Sequence, residues 1–252
     1  MAQKIKVGAV SYLNTKPLIY GFEQGKMKDE IELIIDYPAN IAAFLIRDQI
    51  DIGLVPIVMI PDLKEYHLIT DYCIGCDGEV ASVSLFSDVP LDEVKTVLLD
   101  YQSRTSVELL KILLKEYWKI SPELITGTHN FENNIRGKTA GLVIGDRAFT
   151  QRDKSKYMYD LGLAWKGLTG LPFVFAAWVS NKKLPENFIT AFNASNATGL
   201  DDLYTVIQQN PFPEFDLNTY YTDYIKFKLN ADMLKAMDLF LSKLNRNPEP
   251  IL

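Results

Sequence analysis

Short apolar runs alternate with amphipathic stretches along the first part of this chain. Ile5–Val10, Glu32–Asp36 and Ile52–Val55 read as strands. Between the last two, Ile41, Phe44 and Leu45 recur at helical spacing just after Pro38 and Asn40. Pro17 and Leu18 open another helix, because proline fits a first turn whose N–H has no intrahelical partner. This βαβ rhythm predicts parallel strands joined by right-handed crossovers. Ile69–Ile74 and Val80–Phe86 follow as strands, and Val89-Pro90-Leu91 breaks the pattern.

A second βα unit begins with a strand at Thr96–Leu99. It continues into a helix from Thr105 to about Tyr117, with Val107, Leu110, Leu114 and Tyr117 on one stripe. Leu142–Ile144 is a short buried strand, and Phe173–Val179 is an apolar strand returning to the first unit. The remainder is mainly helical. Asn230 caps a helix that places Leu234, Met237, Leu241 and Leu244 on one core-facing stripe. The expected architecture is α/β, mixed sheets flanked by helices in two lobes. Residues 1–88 and 173–252 form the first lobe, and residues 89–172 are inserted as the second. Two hinge crossings, near Phe86 and Phe173, join them, and the interface between lobes is the natural place for a small-molecule site.

Composition narrows the function classes. The 252 residues are 48% hydrophobic and 23% charged, enough for a large core. A net charge of −6 and the absence of a Lys/Arg run argue against nucleic acid as a partner. No stretch reaches the ~18 apolar residues of a membrane span. Behind Lys4 and Lys6, the run Val7–Val10 is too short for a secretory signal, so a cytoplasmic location is expected. The two cysteines form Cys73-Ile74-Gly75-Cys76, a spacing open to a redox pair or half a zinc site. The only histidines, His67 and His129, stand at no ligand spacing from them, so structural thiols and no metal are expected.

The candidate chemistry lies at chain turns. Ser11-Tyr12-Leu13-Asn14-Thr15 is a polar turn beyond the carboxyl end of a strand, where ligands of open α/β sheets sit. Asn14 there is either a turn residue or a ligand contact. Ser103-Arg104-Thr105-Ser106 opens a helix, with Thr105 and Glu108 fitting a capping box. Its hydroxyls and free N–H groups also suit a carboxylate or phosphate. Ser82 and Ser84 fall on one face of a strand and Val83 on the other, as solvated edge-strand serines or as ligand contacts. Asp146 in Gly145-Asp146-Arg147 caps a helix or faces a ligand. In Thr169-Gly170-Leu171-Pro172, Gly170 permits close backbone approach and Leu171 and Pro172 can cover an apolar face, unless this is simply a hinge turn. Hydrolase, zinc-protease, P-loop and dinucleotide motifs are missing. What remains is a set of neutral hydrogen-bond donors.

The ordered set Val10-Ser11-Tyr12-Leu13-Asn14, Asp77-Gly78 with Ser82-Val83, Ser103-Arg104-Thr105-Ser106, Ile144-Gly145-Asp146 and Thr169-Gly170-Leu171-Pro172-Phe173-Val174-Phe175-Ala176 resembles the chorismate dehydratase family of the futalosine route to menaquinone. The paralogous 1,4-dihydroxy-6-naphthoate synthases carry a Ser-Pro-Cys-Pro-Asn-like loop where this chain has Ser11-Tyr12-Leu13-Asn14. The resemblance implies a type 2 periplasmic-binding-protein-like fold and a cofactor-independent loss of water from chorismate. It implies Asn14 and Ser82 as catalytic residues. Ser11, Val83, Ser103, Arg104, Thr105, Ser106, Asp146, Thr169, Gly170, Leu171 and Pro172 would then bind substrate. The proton acceptor is either the substrate's own enolpyruvyl carboxylate or Asp146. A non-catalytic carboxylate sensor and the naphthoate synthase are the competing readings.

Overall fold

The computed structural model describes residues 4–244. In the first lobe, β1 (Ile5–Val10) lies between β2 (Ile31–Asp36) and β3 (Ile52–Pro56), all parallel. Helices α1 (Lys16–Glu23) and α2 (Pro38–Ile46) make the crossovers, each with proline in its first turn. β1 is buried from Val7 to Val10, as a central parallel strand covered on both faces should be. β4 (His67–Cys76), β10 (Phe173–Ser180) and β11 (Lys226–Lys228) add antiparallel strands, giving the order β11-β4-β10-β3-β1-β2.

The second lobe repeats the theme. β6 (Thr96–Leu99) sits between parallel β7 (Glu123–Thr126) and β8 (Thr139–Ile144). β5 (Val83–Ser87) and β9 (Tyr157–Asp160) extend the sheet antiparallel, in the order β7-β6-β8-β5-β9. α3 (Arg104–Ile112) runs on as a π turn over Leu113–Trp118, and α4 (Asp146–Arg152) follows β8. α5 (Leu161–Thr169) leads back to β10. α6 (Glu186–Asp201), α7 (Leu203–Gln209), α8 (Leu217–Thr219) and α9 (Ala231–Lys243) close the chain. In each sheet the strand nearest a polar loop, β1 or β6, lies where the strand order reverses. Both loops therefore stand at a topological switch point.

The structure corrects several expectations. β5 begins at Val83, not Val80, and pairs within the second sheet, so the crossing falls at 77–82 rather than near Phe86. Asp160 is the reason. Its buried carboxylate accepts the N–H groups of Val80 (3.1 Å) and Ala81 (2.8 Å), removing them from any ladder. Ala81 takes a left-handed φ of 66° to present them. β5 is an interior strand, so Ser82 and Ser84 are buried rather than solvated at an edge.

Ser103, not Thr105, caps α3, its Oγ accepting from the Ser106 N–H at 3.1 Å. α9 buries Met233, Ala236, Met237 and Phe240, whereas Leu234 is exposed. The face is turned by one residue because Phe240 packs on Phe173 and Trp165. The periodicity reading missed β7, β9, β11 and α5. All four residues of β7 are exposed, which erases any inward–outward alternation. Cys73 and Cys76 are free and buried, and burial pushes both thiols up.

α1, which follows the Asn14 loop, is set by close contact with α6. A Cβ at Gly21 would stand 2.2 Å from the Ser195 carbonyl oxygen, and one at Gly199 2.2 Å from that of Pro17. Only glycine at both crossing points lets the two backbones approach this closely. Gly21→Ala and Gly199→Ala are each expected to cost roughly 1–3 kcal/mol, because backbone rather than a flexible side chain must yield. Urea unfolding of the two variants checks this, and wild-type midpoints would refute it.

The clasp at Asp160 makes a second prediction. Burial raises its carboxyl to about 6, against the opposing pull of the Leu163, Ala81 and Val80 N–H groups. A folded-state pKa above the unfolded one contributes stability that is full below the unfolded value and lost as pH rises through the folded value. Wild-type Tm is therefore expected to lose this contribution between about pH 4 and about pH 6. In Asp160→Asn, melting curves across that range should lack the component, and parallel Tm–pH profiles would refute the assignment.

Candidate functional site

The carboxyl ends of both sheets face one cavity of about 650 Å³, counting its open mouth. Val10, Leu54, Ile74, Phe175 and Ala176 give it an apolar floor from the first lobe. Ile144 and Gly145 close the far side, and Val80, Ser82 and Val83 form the hinge wall. The polar groups come from three turns: Tyr12, Asn14 and Thr15; Ser82; and Gln102, Ser103, Thr105 and Ser106.

Each turn is held by the others. The Gly145 N–H donates to the Ser82 carbonyl at 2.8 Å, joining the hinge to the end of β8. Gly145 has φ 63° and ψ −148°, a conformation that only glycine adopts readily, and it faces the Tyr12 ring. The Tyr12 hydroxyl donates across the cleft to Gln102 Oε1 at 2.7 Å. The same oxygen accepts from Arg147 Nη2 at 3.2 Å. Arg147 is anchored in turn on Asp100 (2.7 Å) and on Glu132. Burial pushes the Asp100 carboxyl up, and the Arg147 guanidinium opposes that shift. The Asp100–Arg147 charges are thus spent on each other, and Gln102 presents a neutral, oriented amide to the cleft.

Ser82 is met by a residue from far along the chain. Tyr220, just after α8, is 1% exposed and donates its hydroxyl to Ser82 Oγ at 2.7 Å. Tyr221 donates to the Leu13 carbonyl at 2.9 Å and so fixes the Asn14 loop from below. At the other end, Ser103 Oγ is occupied with capping, receiving the Ser106 N–H while it donates to Ser106 Oγ. Thr105 Oγ1 receives only a long contact, 3.5 Å, from the Val58 N–H. The first turn of α3 opens on the cavity with N–H groups that the helix itself cannot satisfy.

Of the expected site residues, Asn14, Ser82, Val83, Ser103, Thr105 and Ser106 line this cavity together. Others do not. Ser11 is exposed at the end of β1 and outside the lining. Arg104 is exposed, with its Nη1 3.1 Å from Met59 Sδ. Asp146 neither caps α4 nor lines the cavity; its Oδ1 accepts the Leu13 N–H at 3.3 Å and ties the lobes together. Burial raises its carboxyl, with the Leu13 N–H, Lys16 and Arg147 pulling the other way. Thr169 turns its hydroxyl back to the Trp165 carbonyl, and Gly170, at φ 74°, terminates α5. Gly170, Leu171 and Pro172 line a separate open cleft, beside Lys166 and Lys226.

Tyr12, Gln102, Phe175 and Tyr220 were not singled out in the sequence. Tyr12, Gln102 and Phe175 adjoin or sit within motifs that were read for other residues. Tyr220 lies in a helical stretch with no local mark of function. Among the described residues no cluster of His, Cys, Asp and Glu could hold a metal ion, and no helix is long and apolar enough to cross a membrane.

A chorismate dehydratase from Thermus thermophilus is 26% identical over 222 residues, 80% of each chain. Protein AF1704 of Archaeoglobus fulgidus superposes with a TM-score of 0.75 at 14% identity, over 95% of this chain and 96% of that one. The Candida albicans CA3427 product, described as having the generic periplasmic binding protein fold, gives 0.60 at 11% identity, over 98% and 92%. These structural likenesses establish the two-lobe binding-protein fold. A family model described as menaquinone biosynthesis matches residues 5–246, nearly the whole chain. The chain therefore belongs to the menaquinone-biosynthesis family, built on a periplasmic-binding-protein-like scaffold.

Proposed function

We propose that this protein is a chorismate dehydratase. It converts chorismate to 3-[(1-carboxyvinyl)oxy]benzoate and water. The observation that carries the reading is the convergence of Asn14, Ser82 and the start of α3 on one interlobe cavity. Family membership and the Thermus thermophilus relative support it.

The reaction removes a ring proton and the adjacent ring hydroxyl, and the product ring is aromatic. It is redox-neutral, and aromatisation supplies the driving force. The protein's task is to hold one conformer and stabilise charge where it develops. Chorismate carries two carboxylates. One is held by the first turn of α3, through Thr105 and Ser106, where the helix dipole favours an anion. The other is held at the Ser82 hydroxyl. Asn14 donates to the departing hydroxyl. The apolar floor of Val10, Leu54 and Ile74 excludes water and strengthens each of these contacts.

The substrate's enolpyruvyl carboxylate takes the ring proton. The alternative base, Asp146, is disfavoured by its position, because its carboxylate is engaged by the Leu13 N–H outside the cavity lining. A biosynthetic role of this kind carries with it a cytoplasmic location.

Incubation with chorismate, followed by ultraviolet and mass detection, should show an aromatic product lighter by one water. Binding without turnover would favour a carboxylate sensor instead. Asn14→Ala should lower kcat on the order of 10²–10³-fold, as loss of a transition-state donor does. Near wild-type turnover in that variant would reject the role. Thr105→Val should chiefly raise KM, and an unchanged KM would reject the anion site at α3.

A further inference from the structure

The dehydratase reading leaves unexplained why a tyrosine hydroxyl is buried behind Ser82, away from the cavity. Tyr220 comes from the C-terminal segment, far along the chain from both Asn14 and Ser82. Its ring is locked by aromatic contacts, edge-on to Phe149 at 5.0 Å between centroids and tilted against Tyr221 at 5.5 Å. Phe215 closes a third side at 6.3 Å. Only the hydroxyl is free to make polar contact, and it reaches Ser82 at 2.7 Å.

Proton bookkeeping assigns a direction to this bond. A phenol is more acidic than an aliphatic hydroxyl and is the better donor, whereas the serine oxygen is the better acceptor. Tyr220 therefore gives its single proton to Ser82 Oγ. Burial keeps the phenol protonated, with Asp146 and Tyr221 adding to the same effect. Ser82 Oγ makes no other hydrogen bond among the described residues, and it lines the cavity. Its own proton is then available to a ligand oxygen in the cleft.

We propose that Tyr220 is a positioning residue of the dehydration site: it donates to Ser82 and so aims the Ser82 O–H at a substrate oxygen. The role rests on the dehydratase reading. It differs from simple core packing because the ring alone would serve packing, and Tyr220→Phe keeps the ring.

In Tyr220→Phe the kcat for chorismate is expected to fall about tenfold or more, with KM nearly unchanged, since Ser82 is freed to turn its proton elsewhere. In the pair Ser82→Ala and Tyr220→Phe, the double variant should be no slower than Ser82→Ala alone, because Tyr220 acts through Ser82. Wild-type kcat in Tyr220→Phe, or losses that multiply in the double variant, would overturn the proposal. So would a variant whose lower rate is fully accounted for by a smaller folded fraction in its melting curve. A wild-type protein inert toward chorismate would overturn the dehydratase reading and this role with it. A wild-type protein that turns over, beside an equally active Tyr220→Phe, would overturn this role alone.

Discussion

The buried carboxylate of Asp160 organises the point where the two sheets meet. It accepts backbone N–H groups from Val80 and Ala81 in the crossing and from Leu163 at the start of α5. Such bonds to an ionised acceptor are among the stronger ones a protein makes. They hold Ala81 in a left-handed conformation and deliver Ser82 into the cavity wall rather than into a strand. The outgoing crossing and the returning helix are thereby fixed to one another, and the position of every group on the hinge side follows from that clasp.

From this hinge the site is assembled by mutual satisfaction of polar turns. Gly145 reaches Ser82 through backbone, Asp146 reaches Leu13, and Tyr12 reaches Gln102. Charges are kept away from the cavity in closed pairs, with Arg147 between Asp100 and Glu132 and Arg152 paired with Glu79. The cavity thus receives neutral donors and a helix terminus on an apolar floor. That arrangement suits a substrate that brings its own negative charge, and even its own base. An ionised side chain in the same place would compete with the substrate's carboxylates.

Much of the scaffold was legible from pattern alone. β1, β3, β6 and β10 are apolar runs bounded by turn residues, and their burial leaves a strong signal. β7 is exposed along its whole length, and β11 has three residues, so neither carries a period to detect. The start of β5 was misread for a related reason. Val80-Ala81-Ser82-Val83 alternates like a strand, yet a carboxylate eighty positions downstream takes its N–H groups. Asp146 looked like a helix cap and a candidate base, because its local sequence allows both; its true partner is a backbone N–H on the other lobe.

The sequence by itself determined the apolar strands β1, β3, β6 and β10, the placement of Asn14 and of the Ser103–Ser106 turn beyond strand ends, and the mostly neutral character of the candidate groups. These are local properties, set by periodicity, turn chemistry and composition, and they are carried by neighbouring residues. Tertiary structure alone decided which turns share a cavity, why Gly170, Leu171 and Pro172 belong to another cleft, and that Tyr220 stands behind Ser82. The reason is physical. Partners such as Tyr220 and Ser82, or Tyr12 and Gln102, lie far apart along the chain and leave no periodic trace. Only packing of both lobes and the C-terminal helices brings a donor within reach of its acceptor.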